Sequence, residues 1–134
     1  MSYDQFFQRA TANPAPYEYQ ARLAGGDSGS PCESKLISVP TGLGKTAAVV
    51  LSWLWNRVHL RSEKWPRRLV YCLPMRTLVE QTEKEVRKWL GDALWDGQPN
   101  TRAGKVGVHI LMGGEDAGEW GIDPEAQFFF IETK

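Results

Sequence analysis

The chain has little of what marks most specialised classes of protein. Its 134 residues carry 16 basic and 16 acidic side chains, so there is no net charge and no global basic field to draw in nucleic acid. Any such contact has to come from a local patch. Near-neutrality also leaves the chain by itself with weak colloidal protection. There are two cysteines, Cys32 and Cys72, and they form no metal-spaced pair. That argues against a disulfide scaffold and for a reducing, cytoplasmic setting. Cys72 sits in an apolar run and reads as a buried small hydrophobe. The opening Met1-Ser2-Tyr3-Asp4-Gln5 has neither a basic region nor an apolar core, so it is no secretory leader. The longest apolar run, around Val49, is interrupted by Ser52 and Asn56 and is too short to span a bilayer, so no membrane partner is expected. There is no internal repeat and no low-complexity tract. What remains is ordinary: 42% hydrophobic and 24% charged residues, in a length that suits one globular domain at most.

The densest signal is Val39-Pro40-Thr41-Gly42-Leu43-Gly44-Lys45-Thr46. Before it lies Leu36-Ile37-Ser38-Val39, a short apolar run ending in a turn. After it comes Ala47 to Trp55, an apolar segment of helical length. Strand, Gly-rich loop and helix in that order are the setting of a phosphate-binding loop. Gly42 and Gly44 allow backbone dihedrals closed to residues with a Cβ, so successive N–H groups can turn inward around a phosphate. The helix starting near Gly44 aims its free N–H groups and positive dipole end at the same anion. Lys45 can reach the β- and γ-phosphates, and the Thr46 hydroxyl can ligate Mg²⁺, a hard ion that prefers oxygen. The expected cofactors are ATP and Mg²⁺. Pro40, Thr41, Gly42, Leu43, Gly44, Lys45 and Thr46 are the candidate phosphate contacts. Val39 stands where the general pattern has its first glycine, so the match is to the Pro-Thr-Gly-x-Gly-Lys-Thr variant.

The flanking chain reads as alternating elements. Ser2 with Gln5 three residues on fits a capping box and a short first helix through Phe6, Phe7 and Ala10. Pro16 suits the first position of a second helix, Tyr17 to Ala24, stopped by Gly25-Gly26. A loop of small residues leads to a strand over Lys35 to Val39, and the helix after the phosphate loop runs from Lys45 to His59. A basic connection, Arg61 to Arg68, precedes the continuous apolar strand Leu69 to Leu73, whose composition predicts cover on both faces. Met75, Leu78, Val79, Thr82, Val86, Trp89, Leu90, Ala93 and Leu94 then recur at helical spacing. Further strands are expected over Val106 to Met112 and Ala126 to Ile131. The fold class is therefore α/β: a partial P-loop domain with a parallel sheet and helices on both faces. The organisation expected is an N-terminal pair of helices with a loop over residues 1–34 and the P-loop domain over 35–134.

Four segments together carry a family resemblance. Pro40 to Thr46 resembles motif I of the superfamily 2 helicases, of the DEAD/DEAH type, which implies a RecA-like domain. Pro16-Tyr17-Glu18-Tyr19-Gln20 resembles their Q motif, in which a glutamine amide reads the adenine edge. A primary amide does offer a donor and an acceptor side by side, suited to adenine's amino group and N7. Tyr17 or Tyr19 can pack beside the base. Leu73-Pro74-Met75-Arg76-Thr77-Leu78 resembles motif Ia, with Met75 in place of the usual Thr. The resemblance implies that Arg76 and Thr77 touch the backbone of a bound strand, at a helix N-terminus suited to phosphate. Leu111-Met112-Gly113-Gly114 resembles the family's Gly-Gly motif, which would bring Gly113 and Gly114 close to nucleic acid. The wording of these segments, followed by a Trp and a Pro-Glu, is similar to the CRISPR-associated helicase–nuclease of type I interference systems. That resemblance implies an ATP-driven translocase acting on single-stranded DNA and recruited by an RNA-guided interference complex.

The departures matter as much. Motif II should be an apolar strand ending in Asp-Glu-x-His, and nothing here has that form. Asp123-Pro124-Glu125-Ala126 follows a loop. Phe128-Phe129-Phe130-Ile131-Glu132 reads better as the strand that leads to the family's Gly-Thr motif, with Thr133 in place and Glu132 where Gly is expected. His59 and His109 form no His-Asp pair of the kind an HD nuclease uses. The expectation is a fragment that binds ATP and is inactive in hydrolysis by itself. Trp53, Trp55 and the three consecutive phenylalanines would then be surface meant for missing elements. A small self-contained P-loop phosphotransferase, with Glu132 as its acid, and a non-enzymatic remnant are the alternatives.

Overall fold

The computed structural model describes residues 1–91, 106–111 and 127–133. The chain divides into two compact units, Met1–Pro66 and Arg67–Lys134. All described α-helices but one lie in the first, and all described strands lie in the second.

In the first unit, α1 spans Tyr3–Thr11, α2 Glu18–Ala24 and α3 Lys45–Trp53. α1 begins with the capping box its sequence predicts: the Ser2 hydroxyl accepts from Gln5 N–H at 3.2 Å, and the Ser2 N–H donates to Gln5 Oε1 at 2.9 Å. Its apolar stripe, Tyr3, Phe6, Phe7 and Ala10, is fully buried. α2 starts one residue later than its sequence predicts. Tyr17 is its N-cap, because the Gln20 side chain turns back to take the Tyr17 N–H at 2.8 Å.

α3 continues as a π-helical stretch over Leu54–His59, closed by Leu60 N–H to the Trp55 carbonyl at 2.8 Å. Almost every face of α3 and its continuation is buried, as the apolar run around Val49 predicts. Trp53 and Trp55, expected at an exposed surface, are instead 1% and 0% accessible. Trp55 is covered by α1, whose Tyr3 and Phe6 pack on its ring at centroid distances of 5.6 and 5.2 Å, and His59 stacks on it at 4.5 Å. Each indole also ties down a loop. Trp53 Nε1 donates to the Pro66 carbonyl at 2.8 Å, Trp55 Nε1 to the Gly26 carbonyl at 2.9 Å, and Trp65 Nε1 to the Ser30 carbonyl.

Asn56 completes the fastening. Its Nδ2 donates to the carbonyls of Ala24 and Ser52, both at 2.9 Å, and its Oδ1 accepts the Ser30 N–H at 3.1 Å. The loop between α2 and residue 30 is thus held through its backbone by side chains of the long helix.

The strand expected over Lys35 to Val39 does not form. These residues take no ladder partner among the described residues, and Leu36 is 94% exposed. An apolar run becomes a strand only when a neighbour accepts its backbone hydrogen bonds.

In the second unit, β1 spans Arg68–Leu73, α4 Arg76–Trp89, β2 Val106–Leu111 and β3 Gln127–Thr133. The three strands are parallel, in the order β1-β3-β2, with Val70 in register with Phe130 and Phe130 with His109. α4 packs on this sheet through Val79, Thr82, Val86 and Trp89, with Leu90 beyond its end also buried. The remaining described members of its predicted stripe, Met75 and Leu78, are 57% and 37% exposed at the start of the helix. Arg87 on its outer side pairs with Glu83 at 3.8 Å and donates to the Val108 carbonyl at 3.3 Å.

β1 corrects two expectations. Leu69, Tyr71 and Leu73 are half-buried, while Val70 and Cys72 between them are exposed. A pleated strand sends alternate side chains to opposite faces, and here cover lies on one face only. Cys72 is therefore no buried hydrophobe, and the apolar run is not covered on both sides.

Candidate nucleotide-binding site

The phosphate-loop residues sit in the first unit, between α2 and α3. Pro40, Thr41 and Gly42 are exposed and Leu43 is half-buried. Gly42 has φ +89° and Gly44 has φ +71°, the left-handed region that glycine enters without a steric penalty. As N-cap, Gly44 gives the first turn of α3 no side-chain hydrogen bond, and the leading N–H groups of any α-helix have no carbonyl to bond within the helix itself. That is an anion cradle by construction, with the positive end of the helix behind it. Lys45 opens the helix on the exposed side, and Thr46 follows, half-buried.

These groups suit a polyphosphate. The N–H groups of the first turn and the Lys45 ammonium would hold its oxygens, and the open space around Gly42, where an added Cβ would meet nothing within 4 Å, leaves room for backbone approach. The Thr46 hydroxyl is the oxygen ligand a Mg²⁺ ion would take from the loop. No group of three or more His, Cys, Asp or Glu side chains that could hold a metal occurs among the described residues.

α2 meets the loop directly. Tyr19 donates its hydroxyl proton to the Leu43 carbonyl, and Gln20 Nε2 donates to the Gly44 carbonyl at 2.9 Å. Gln20 is 2% exposed, and its Oε1 is taken by the Tyr17 N–H. The amide expected to face adenine thus has both ends engaged by backbone. Tyr17 is 55% exposed, with its ring stacked on Tyr19 at 6.4 Å and 12°. A cleft of about 230 Å³ opens beside these residues, between Tyr19, Arg22 and Leu23 of α2 and the extended residues Lys35 to Val39. The Tyr19 contact is absent from any reading of the sequence in isolation.

In the second unit, β1 ends at Leu73 and α4 begins at Arg76, whose N-cap Met75 offers no side-chain hydrogen bond. Arg76 and Thr77 are exposed in the first turn. The strand-end-to-helix junction predicted around them is therefore present. Gly113 and Gly114 lie outside the described residues, as do Ala93, Leu94 and the Asp123 to Glu125 stretch.

A glycine-rich loop with positive φ, running into a helix that opens with Lys-Thr, has the arrangement of a P-loop. Residues 23–117 match the family model for the DEAD/DEAH box helicase, which covers most of the chain, and the chain belongs to that family. No curated protein and no solved structure matches it. Membership carries a RecA-like fold and a helicase-type function that binds ATP with a metal ion and acts on nucleic acid. No helix among the described residues is long and apolar enough to cross a membrane.

Proposed function

We propose that the chain is the ATP-binding part of an ATP-driven helicase or translocase that moves on single-stranded DNA in CRISPR-type antiviral defence. The observation that carries the reading is the left-handed Gly42 and Gly44 running straight into α3, with Lys45 exposed at its start. Lys45 binds the β- and γ-phosphates and Thr46 holds Mg²⁺. Arg76 and Thr77 bind the strand's phosphates, with Gly113 and Gly114 as further backbone contacts. The finer assignment rests on the wording of Val39 to Thr46, Tyr71 to Thr82 and His109 to Glu115, and it makes an RNA-guided interference complex in the cytoplasm the partner. The second face of the sheet, where Val70 is 51% exposed, is read as a seat for further helices of the RecA-like layer. Hydrolysis needs a water-orienting acid and an arginine finger, and the sequence has no Asp-Glu-x-His motif to supply the first. Binding without turnover is therefore the activity to measure.

The test is calorimetric titration of the full chain with ATP and Mg²⁺, beside Lys45→Ala, and of single-stranded DNA beside Arg76→Ala. Saturable ATP binding that Lys45→Ala abolishes supports the reading. ATP binding that is indifferent to Lys45 removes it. Phosphoryl transfer by the chain, lost in Glu132→Gln, would favour a self-contained phosphotransferase, and binding of neither ligand would favour a remnant without activity.

A further inference from the structure

We infer that Tyr19 and Gln20 are positioning residues for the phosphate loop: they hold the carbonyls of Leu43 and Gly44 turned away from the anion, so that the following N–H groups face it. The inference rests on the nucleotide-binding reading and names what orients that site. Both residues lie outside the 23–117 match, in a stretch whose expected task was contact with the base.

The geometry is a pair of matched bonds. Two neighbouring side chains in the first turn of α2 donate to two neighbouring carbonyls of the loop, Tyr19 Oη to Leu43 and Gln20 Nε2 to Gly44. A trans peptide unit is planar, and its C=O points opposite to the N–H that follows. Fixing the Leu43 carbonyl therefore fixes the Gly44 N–H, and fixing the Gly44 carbonyl fixes the Lys45 N–H. The Gly44 carbonyl also accepts the Ala48 N–H at 2.9 Å, the first hydrogen bond of α3. It thus takes two donors, one from each helix, and the start of α3 is welded to α2 through one oxygen.

Three further features favour positioning over base recognition. Gln20 is anchored at its other end by the Tyr17 N–H, so the amide cannot swing without undoing the start of α2. It is buried, where an adenine edge would have to displace a bond already made. Finally, a Cβ on Gly44 would stand 2.6 Å from Gln20 Nε2. The glycine is therefore required on the side facing away from phosphate as well as for its positive φ. Gly42 has no such neighbour.

A positioning role and a base-reading role differ in one observable. A residue that shapes the phosphate cradle affects every ligand carrying the phosphates, whatever base is attached. The experiment titrates the full chain with ATP, GTP and inorganic tripolyphosphate, each with Mg²⁺, for the parent chain, Tyr19→Phe and Gln20→Met. Tyr19→Phe removes one hydroxyl and leaves the ring stack, and a thermal melt of each variant reports folding separately. The expected result is a weakening of about threefold to tenfold per variant, equal for the three ligands, with the ATP-to-GTP ratio unchanged and the Tyr19→Phe melt superimposed on the parent. Loss confined to ATP, with tripolyphosphate unaffected, makes Gln20 a base contact and overturns the inference. So does full affinity of Tyr19→Phe for tripolyphosphate. If the parent chain binds tripolyphosphate but Lys45→Ala binds it equally well, the nucleotide-binding reading fails first, and this one with it.

Discussion

Asn56 offers the sharpest test of how the P-loop unit holds together. It is 1% exposed and serves three backbone groups: the carbonyls of Ala24 and Ser52 and the N–H of Ser30. Asn56→Leu keeps the volume and removes every polar atom. Two groups distant in sequence then lose their partner, the Ala24 carbonyl and the Ser30 N–H. A stranded buried group costs about 1–3 kcal/mol, and the half-buried Ser30 belongs at the low end. The sum is about 3 kcal/mol, a factor of roughly 150 in the folding equilibrium. Asn56→Asp should do worse at neutral pH, although it can still accept from Ser30. It has no proton to donate and places a charge beside two carbonyl oxygens, so its carboxyl will be pushed above the usual range. Stability in that variant is then present at low pH, where the group is protonated and can donate, and is lost as pH rises through the raised value. The assay is urea unfolding of the full chain followed by tryptophan fluorescence, at pH 4.5 and 7.5 by choice. Asn56→Leu within about 1 kcal/mol of the parent, or Asn56→Asp no less stable at pH 7.5 than at 4.5, would refute the assignment of the Asn56 bonds as what fastens the loop.

Gly42→Ala and Gly44→Ala both force a side chain into positive φ, at about 1–2 kcal/mol each, but only the latter displaces Gln20 Nε2. Urea midpoints should therefore rank Gly44→Ala below Gly42→Ala by about another 1 kcal/mol, and equal shifts would sink the Gln20 contact. Burial pushes the Tyr3 phenol above its ordinary value. Its contribution to stability is fully present below about pH 10 and falls as pH rises beyond that, at roughly 1.4 kcal/mol per pH unit. Tyr3→Phe should abolish that part of the slope in alkaline urea titrations. Arg76 is exposed at the start of α4, so Arg76→Ala should leave the circular dichroism unchanged. It should also weaken single-stranded DNA and reduce the slope of log affinity against log salt by about 0.7, which a salt series of binding isotherms reads directly.

What was legible in the sequence is what short-range physics decides. The Ser2–Gln5 capping box spans three residues and forms as written. The left-handed Gly42 and Gly44 and the helix that starts at Lys45 follow from steric freedom and apolar density within one segment. The stripe of α4 follows from helical periodicity, and its buried members are those the spacing selects, apart from Met75 and Leu78 at the open end. The other part of the molecule depends on which segments meet. Lys35 to Val39 has a strand's composition, but a strand exists through its neighbours' hydrogen bonds, and composition does not carry those. Cys72 and Val70 lie in an apolar run, yet they are exposed because β1 has cover on one face. Trp55 is buried because α1, far off in sequence, lays its aromatic stripe over it. Gln20 shows the division most plainly. Its amide chemistry was readable from the residue, as one donor and one acceptor side by side. Which partners took them was settled only when the chain brought α2 against Gly44, because a hydrogen bond needs its acceptor within about 3 Å and no rule of sequence spacing supplies that contact.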